Sequence, residues 1–151
     1  NNYKNINLHM IGKLQTNKVK FILPLFDYLH SLDNLKLAKK ISLEQQKSKK
    51  KLKIFIQVNI GNEDQKSGVN VSYLKEFYSI CSKELNLNIV GLMCLPPNDD
   101  KTKIYFSQVQ KLNEELGLKE LSLGMSGDFL EATNVGSTFL RIGSKIFGNR
   151  F

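Results

Sequence analysis

Two segments near the C-terminal end of the chain combine residue types that can hold an anion. Segments 124–128 (Gly-Met-Ser-Gly-Asp) and 143–148 (Gly-Ser-Lys-Ile-Phe-Gly) each follow a short apolar run, and Ser126, Gly143 and Ser144 are the candidate contacts. Backbone N–H groups and serine hydroxyls bind phosphate, and glycine lets the ligand approach the backbone closely. The structural alternative is that the glycines end strands and the serines cap helices. Because both segments occur in adjacent units, a phosphate site and the structural alternative are about equally supported.

Arg141 is the second candidate, because the chain otherwise uses lysine for positive charge. Twenty of its 22 basic residues are lysines, and Arg141 lies inside an apolar run, with one residue between it and Gly143. A buried guanidinium needs partners, and its planar fork suits fixed, directional hydrogen bonds. Two interpretations stay open at this point. Arg141 bonds an internal carboxylate or carbonyl, or it points at a ligand beside the phosphate.

Three further polar residues lie in apolar, strand-like runs: His9, Gln57 and Asn59. Side chains alternate along a strand, so Gln57 and Asn59 share a face, and one of them could line the mouth of a pocket. A single histidine such as His9 in an apolar strand is either a hydrogen-bonded core residue or a ligand contact. The two histidines and the two cysteines have no metal-binding spacing, so no metal site is predicted.

Short apolar runs alternate with helical segments along the whole chain. The runs predicted as strands are 8–11, 28–32, 54–60, 89–94, 121–125 and 138–142. The segments with helical spacing are 34–46, 71–85, 103–116 and 128–135. Strict alternation predicts parallel strands joined by helical crossovers, which is the α/β class.

The spacing of the strands favours a barrel. The six strands begin about 26 residues apart on average, and a (β/α)₈ barrel has roughly 30 residues per unit. The sequence therefore predicts an incomplete (β/α)₈ TIM-type barrel, corresponding to roughly its last six βα units. An open nucleotide-binding sheet is the competitor, but segment 12–15 (Gly-Lys-Leu-Gln) after the first strand lacks the glycine fingerprint of such a sheet.

Length and composition exclude several classes of protein. The chain has 151 residues, of which 41% are apolar and 24% charged, and this predicts one globular domain over residues 1–151. No apolar run reaches the roughly 18 residues that a membrane-spanning helix needs. The first residue is not Met and no signal core follows it, so we expect the chain to begin partway into a longer protein. Two cysteines fit a cytoplasmic location.

The net charge of +8 raises the question of nucleic-acid binding. Nucleic-acid readers generally use arginine forks and aromatic faces. The densest basic run has five lysines between positions 47 and 53 and no interleaved aromatic residue. We therefore expect a solubilising lysine surface and no specific nucleic-acid partner.

Five motifs, in order and spanning the chain, resemble those of the pyridoxal phosphate homeostasis family. The first is segment 9–18 (His-Met-Ile-Gly-Lys-Leu-Gln-Thr-Asn-Lys). Segments 58–69 (Val-Asn-Ile-Gly-x-Glu-x-x-Lys-x-Gly-Val) and 91–93 (Gly-Leu-Met) look like the next two. Segments 121–129 and 136–148, which contain both anion-holding loops, are similar to the closing signature of the family.

The resemblance implies an alanine-racemase-like barrel that binds pyridoxal 5′-phosphate. Ser126, Gly143 and Ser144 would then match phosphate-holding positions, and Arg141 the residue that faces the pyridine nitrogen. Asn59 and His9 complete the predicted set of cofactor-binding residues. The implied function is that of a non-catalytic cofactor carrier and regulator of vitamin B6, monomeric as a full-length protein, with no catalytic residue.

The sequence also departs from the family pattern. Leu8 stands where the family usually has Trp, and the family usually has Ile near Thr133. The Schiff-base lysine of the family lies on its first strand, ahead of every motif found here. The lysines in the matched motifs are Lys13, Lys18, Lys66 and Lys145, and none of them takes over that role. A fold-type III racemase is the alternative function, but it needs an acid/base residue that is not evident.

Overall fold

The computed structural model describes residues 6–63 and 67–148, which form a curved sheet of parallel strands with helices on one face. Lys66 and Arg150 lie outside the described residues. The strands are β1 (His9–Met10), β2 (Tyr28–Leu32), β3 (Lys53–Asn59), β4 (Val69–Asn70), β5 (Asn88–Cys94), β6 (Glu120–Met125) and β7 (Phe139–Arg141). The helices are α1 (Val19–Ile22), α2 (Leu35–Ser48), α3 (Leu74–Ser79), α4 (Thr102–Glu115), α5 (Phe129–Asn134) and α6 (Ser144–Phe147).

The order of the strands confirms the predicted incomplete barrel. Neighbours follow the order β1-β2-β3-β5-β6-β7, and every pairing is parallel. All six predicted strands and all four predicted helices are present, with bounds that differ by at most two residues except in segment 71–85. The strand β4, which pairs with Val58 and Asn59 of β3, was not predicted. A strand of two residues is too short to show an alternating pattern, and the single-turn helices α1 and α6 are too short to show a helical period.

The segment 71–85 is helical as predicted, but it changes type twice. A 3₁₀ turn over Val71–Tyr73 leads into α3, and a π-helical turn over Ile80–Glu84 follows it. Asn70 caps this segment, because its Oδ1 accepts a hydrogen bond from the Ser72 N–H at 2.9 Å. Gly117 adopts a φ of +67° directly after α4 and its following residue, which confirms its predicted role as a helix stop.

The sheet separates two apolar clusters because side chains alternate along each strand. The larger cluster lies between the sheet and the helices and includes Ile54, Ile56 and Phe106. The smaller cluster lies on the opposite, inward face, and all of its members come from strands. Its buried members are Tyr28, Phe55 and Met93, with Val90 and Phe139 packed against them.

The two cysteines are buried and unbridged, as expected for small core residues. Burial raises the pKa of the Cys81 thiol to about 12, so this thiol stays protonated at neutral pH. Across residues 6–63 and 67–148, none of the helices combines the length and the apolar character needed to cross a membrane.

Gly91 is required where β5 contacts its neighbours. It pairs with Phe55 of β3 and Glu120 of β6. A Cβ at this position would lie 1.9 Å from the Glu120 carbonyl oxygen and 2.9 Å from the Phe55 ring. The backbone of the sheet must therefore move to admit any side chain.

We expect Gly91→Ala to lower the free energy of unfolding by about 3 kcal/mol, at the upper end of overpacking costs. The measurement is the denaturant midpoint at constant slope. Gly12→Ala is the matched control, because a Cβ at Gly12 meets nothing within 4 Å. Equal effects of the two variants would contradict this account of the β5–β6 contact.

Candidate functional site

The loops after β6 and β7 meet at the carboxyl ends of these strands. The Ser126 hydroxyl oxygen accepts hydrogen bonds from the backbone N–H groups of Gly143 at 3.2 Å and Lys145 at 3.3 Å. Ser144 is the exposed first residue of α6. The structure therefore brings the three predicted phosphate contacts into adjacent loops. Two N–H groups of the second loop are directed at the Ser126 hydroxyl oxygen of the first.

A tight turn presents Ser126. The Asp128 carboxylate accepts a hydrogen bond from the Met125 N–H at 2.6 Å, and the Asp128 N–H donates to the Met125 carbonyl. Gly124 precedes this turn with a φ of +82°, and a Cβ there would lie 2.6 Å from the Ala132 Cβ. A depression of about 380 Å³ opens beside the turn. Its lining includes Met125, Gly127 and Asp128 from the turn, with Pro96 and Pro97 from the loop after β5.

The structure shows the first of the two interpretations of Arg141, in which it bonds internal carbonyls, and its contact with a ligand stays a prediction. Its side chain is buried, and its terminal nitrogens donate to internal oxygens: Nη1 to the Ser122 carbonyl and hydroxyl, both at 2.7 Å, and Nη2 to the Cys94 carbonyl at 2.8 Å. Its Nε–H is buried too, and residues 6–63 and 67–148 supply no hydrogen-bond acceptor for it. Burial lowers the pKa of the guanidinium, although arginine stays charged in proteins. A buried donor without an acceptor costs about 1–3 kcal/mol, which favours an acceptor supplied by a ligand.

His9 lies within a layer of rings on the inward face. Its ring stacks on Tyr28 with centroids 4.2 Å apart, and it contacts Phe139 of β7 at 5.5 Å. His9 Nδ1 lies 2.9 Å from His30 Nε2, and His30 Nδ1 lies 2.9 Å from Ser122 Oγ. His9 is therefore joined to Arg141 through His30 and Ser122. Nothing in the sequence indicated this connection.

The environment keeps both histidines neutral. Burial lowers the pKa of His30 to about 3, with smaller contributions from the neighbouring His9 and Arg141. Burial also lowers the pKa of His9, and nearby Asp27 opposes this shift. Ser122 and His30 were not identified from the sequence as site residues. The available signal was the alternation in β6 and β2, which places both side chains on the inward face.

Asn59 lies at the carboxyl end of β3, but its amide is used within its own loop. Its Nδ2 donates to the Glu63 carbonyl at 2.9 Å, and its Oδ1 accepts from the Glu63 N–H at 3.2 Å. Gln57 donates in the same way to the Ser67 carbonyl. The structure thus places Asn59 in a loop-stabilising arrangement, and its contact with a cofactor stays a prediction. In the part of the chain that the structure describes, no three His, Cys, Asp or Glu residues cluster as metal ligands would.

Comparisons with known proteins identify the fold and its relatives. The family model of the alanine racemase N-terminal domain matches residues 8–150. The pyridoxal phosphate homeostasis protein of Aquifex aeolicus is 38% identical over 94% of this chain and 66% of its own length. The protein of the same name from Synechocystis is 35% identical over 99% of this chain and 72% of its own length. The chain thus spans about two thirds of the length of the curated relatives it matches.

Solved structures agree with these matches. PipY of Synechococcus elongatus with pyridoxal phosphate bound is 29% identical, with a TM-score of 0.86 over 95% of this chain and 71% of that chain. Alanine racemase from Corynebacterium glutamicum has a TM-score of 0.71 at 15% identity, over 97% of this chain and 42% of that chain. The second similarity shows the fold alone.

We expect the stability of the protein to fall as the pH is lowered from about 6.5 toward 3. The folded state holds His30 neutral in this window, whereas the unfolded state takes up a proton at the ordinary histidine pKa. One extra proton bound on unfolding lowers the free energy of unfolding by at most about 1.4 kcal/mol per pH unit. His9 contributes in the same direction.

Denaturant titrations at pH values from about 6.5 to 5 measure this slope while most carboxylates remain ionised. His30→Gln removes the group and should flatten the profile. A slope that is unchanged in His30→Gln would show that another residue takes up the proton.

Proposed function

Since the chain belongs to the alanine racemase N-terminal domain family and, within it, to the pyridoxal phosphate homeostasis proteins, we propose that it binds pyridoxal 5′-phosphate as a carrier and regulator of this cofactor. The single observation that carries the proposal is the Nε–H of buried Arg141, for which the described residues supply no hydrogen-bond acceptor. Arg141 lies in β7, which leads into one of two adjacent loops, where the N–H groups of Gly143 and Lys145 donate to Ser126 Oγ of the other loop.

The residues of the site fit the cofactor at both of its polar ends. The N–H groups of Gly143 and Lys145 donate to Ser126 Oγ in this structure and would donate to the phosphate instead when it binds. The hydroxyls of Ser126 and Ser144 would then donate to the phosphate as well. The Arg141 Nε–H would meet the lone pair of the pyridine nitrogen and so gain the acceptor that it lacks. These assignments require no residue outside the two loops and β7.

The role of Arg141 supports a carrier without a reaction of its own. Pyridoxal phosphate supplies an electron sink whose strength depends on protonation of its ring nitrogen. Arginine keeps its proton at neutral pH, so Arg141 would donate a hydrogen bond to that nitrogen and leave it unprotonated. The chain would thereby hold the cofactor in a form that favours little carbanion chemistry.

The alternative of a fold-type III racemase has the support of the fold alone. The alanine racemase of Corynebacterium glutamicum is 15% identical, whereas the relatives at 35–38% identity are named for pyridoxal phosphate homeostasis. Measurable racemisation of an amino acid by the cofactor-loaded protein, lost in Arg141→Lys, would favour the enzyme over the carrier.

The remaining expectations also belong to this proposal. A cytoplasmic location is supported by Cys81 and Cys94, which are buried and unbridged. The absence of a specific nucleic-acid partner is supported by Arg141, which is buried and is the one arginine among residues 6–63 and 67–148. Monomeric assembly of the full-length protein stays a prediction.

We expect Ser126→Ala to weaken the binding of pyridoxal phosphate about tenfold, because one hydrogen bond to a charged phosphate is lost. Titration calorimetry with pyridoxal phosphate and with pyridoxal, which has no phosphate, measures the effect. Only the phosphorylated ligand should distinguish the variant from the wild type. Ser107→Ala on the exposed face of α4 is the matched control. Equal weakening of both ligands would place Ser126 away from the phosphate.

We expect Arg141→Lys to weaken pyridoxal phosphate and pyridoxal by a similar factor of about tenfold or more, because lysine keeps the charge but loses the planar donor fork. The same titrations measure this effect. An affinity for both ligands equal to that of the wild type would remove Arg141 from the site.

A further inference from the structure

Four side chains form one chain of hydrogen bonds across the inward face of the sheet. Arg141 of β7 donates from Nη1 to Ser122 Oγ of β6 at 2.7 Å. Ser122 Oγ lies 2.9 Å from His30 Nδ1 of β2, and His30 Nε2 lies 2.9 Å from His9 Nδ1 of β1. The central link joins β2 to β6, although β3 and β5 lie between them in the sheet. This series of hydrogen bonds therefore crosses the concave side of the half-barrel instead of running from strand to neighbouring strand.

The guanidinium sets the direction of this chain. Arginine has only donors, so Ser122 Oγ must accept from Arg141. The Ser122 hydroxyl proton is then free for His30 Nδ1, which must be an unprotonated acceptor. The opposite arrangement, with a proton on His30 Nδ1, would make Ser122 accept twice and leave its own buried hydroxyl proton without an acceptor.

The same reasoning continues to the end of the chain. A neutral His30 that accepts at Nδ1 carries its proton on Nε2 and donates it to His9 Nδ1. His9 must then be neutral as well, with its own proton on Nε2, because a proton on Nδ1 would face that of His30. The pKa of His30, which burial lowers to about 3, agrees with a neutral ring.

We propose that Ser122 and His30 are positioning residues that orient the Arg141 guanidinium so that its Nε–H is left as a donor for a ligand, with His30 and His9 both locked as Nε2–H tautomers. The two terminal nitrogens of Arg141 are tied by three hydrogen bonds to Ser122 and Cys94. Three bonds fix the plane of the guanidinium. His30 in turn stops the Ser122 hydroxyl from rotating, since it accepts the proton of that hydroxyl.

His30 is itself held in place by its ring contacts. It stacks on Phe55 with centroids 4.4 Å apart, and Phe139 meets it edge-on at 6.0 Å. Its side chain is buried. The direction of the Nε–H toward the cofactor rests on the proposed function, whereas the tautomers and the orientation of the guanidinium exist without any ligand.

The composition of the protein makes the test direct. The chain contains two histidines, His9 and His30, and two arginines, Arg141 and Arg150. In a ¹⁵N-labelled sample, the ring-nitrogen and Nε–H regions of the NMR spectrum therefore hold few signals. We expect both histidines to show a single, neutral Nε2–H tautomer at pH 7 without cofactor, and Arg141 to show one sharp Nε–H signal.

Ser122→Ala tests the orientation. His30 should then populate both tautomers and the Arg141 Nε–H signal should shift or broaden, while pyridoxal phosphate should bind about threefold to tenfold more weakly. Ser42→Ala is the matched control, because Ser42 is also buried and donates to a carbonyl, that of Leu85, away from this chain. It should leave both spectra as in the wild type.

His9→Phe gives a second, milder variant that keeps a ring against Tyr28. Because the direction is set from Arg141, His30 should keep its Nε2–H tautomer when His9 is removed. A wild-type His30 with its proton on Nδ1, a loss of the His30 tautomer in His9→Phe, or an unchanged spectrum in Ser122→Ala would each overturn the proposal. The expected tautomers without any shift of the Arg141 Nε–H signal on adding pyridoxal phosphate would support the proposal and overturn the proposed function.

Discussion

The burial of the Arg141 guanidinium is the constraint on which the inward face of the half-barrel depends. A charge removed from water needs hydrogen-bond partners for its donors, or it destabilises the fold by several kcal/mol. Ser122 and Cys94 supply three of these bonds from two other strands. Because Ser122 is also bonded to His30, satisfying one arginine ties β7, β6, β5 and β2 together across the concave side.

This constraint also explains why the two faces of the sheet differ in character. The outward face packs against helices through apolar side chains, most of them aliphatic, and their contacts are decided by shape. The inward face instead holds rings and polar groups that satisfy one another. Its rings include His9 on Tyr28 and His30 on Phe55. A face of this kind keeps a defined geometry, because each of its hydrogen bonds has a required direction.

The proposed site combines the exposed loops at the strand ends with the buried polar layer of the inward face. The loops after β6 and β7 present exposed N–H groups and hydroxyls at the carboxyl ends of the strands, where ligands of parallel α/β folds usually bind. Arg141 extends from β7 into the buried layer below. The proposed anion site is thereby combined with a buried donor, and this combination suits a ligand with a phosphate at one end and a ring acceptor at the other.

The sequence by itself determined the class of fold, the six main strands and the residues of both loops, because period-two and helical patterns and glycine–serine turns are local properties. It also singled out Arg141, since an arginine within an apolar run can be recognised from the order of the residues alone. Only the tertiary structure decided what Arg141 contacts, and that Asn59 bonds within its own loop. The link between His30 and Ser122, 92 residues apart, was decided in the same way. Such contacts depend on the curvature of the sheet, which brings β2 and β6 together across its concave face and has no local signature in the sequence.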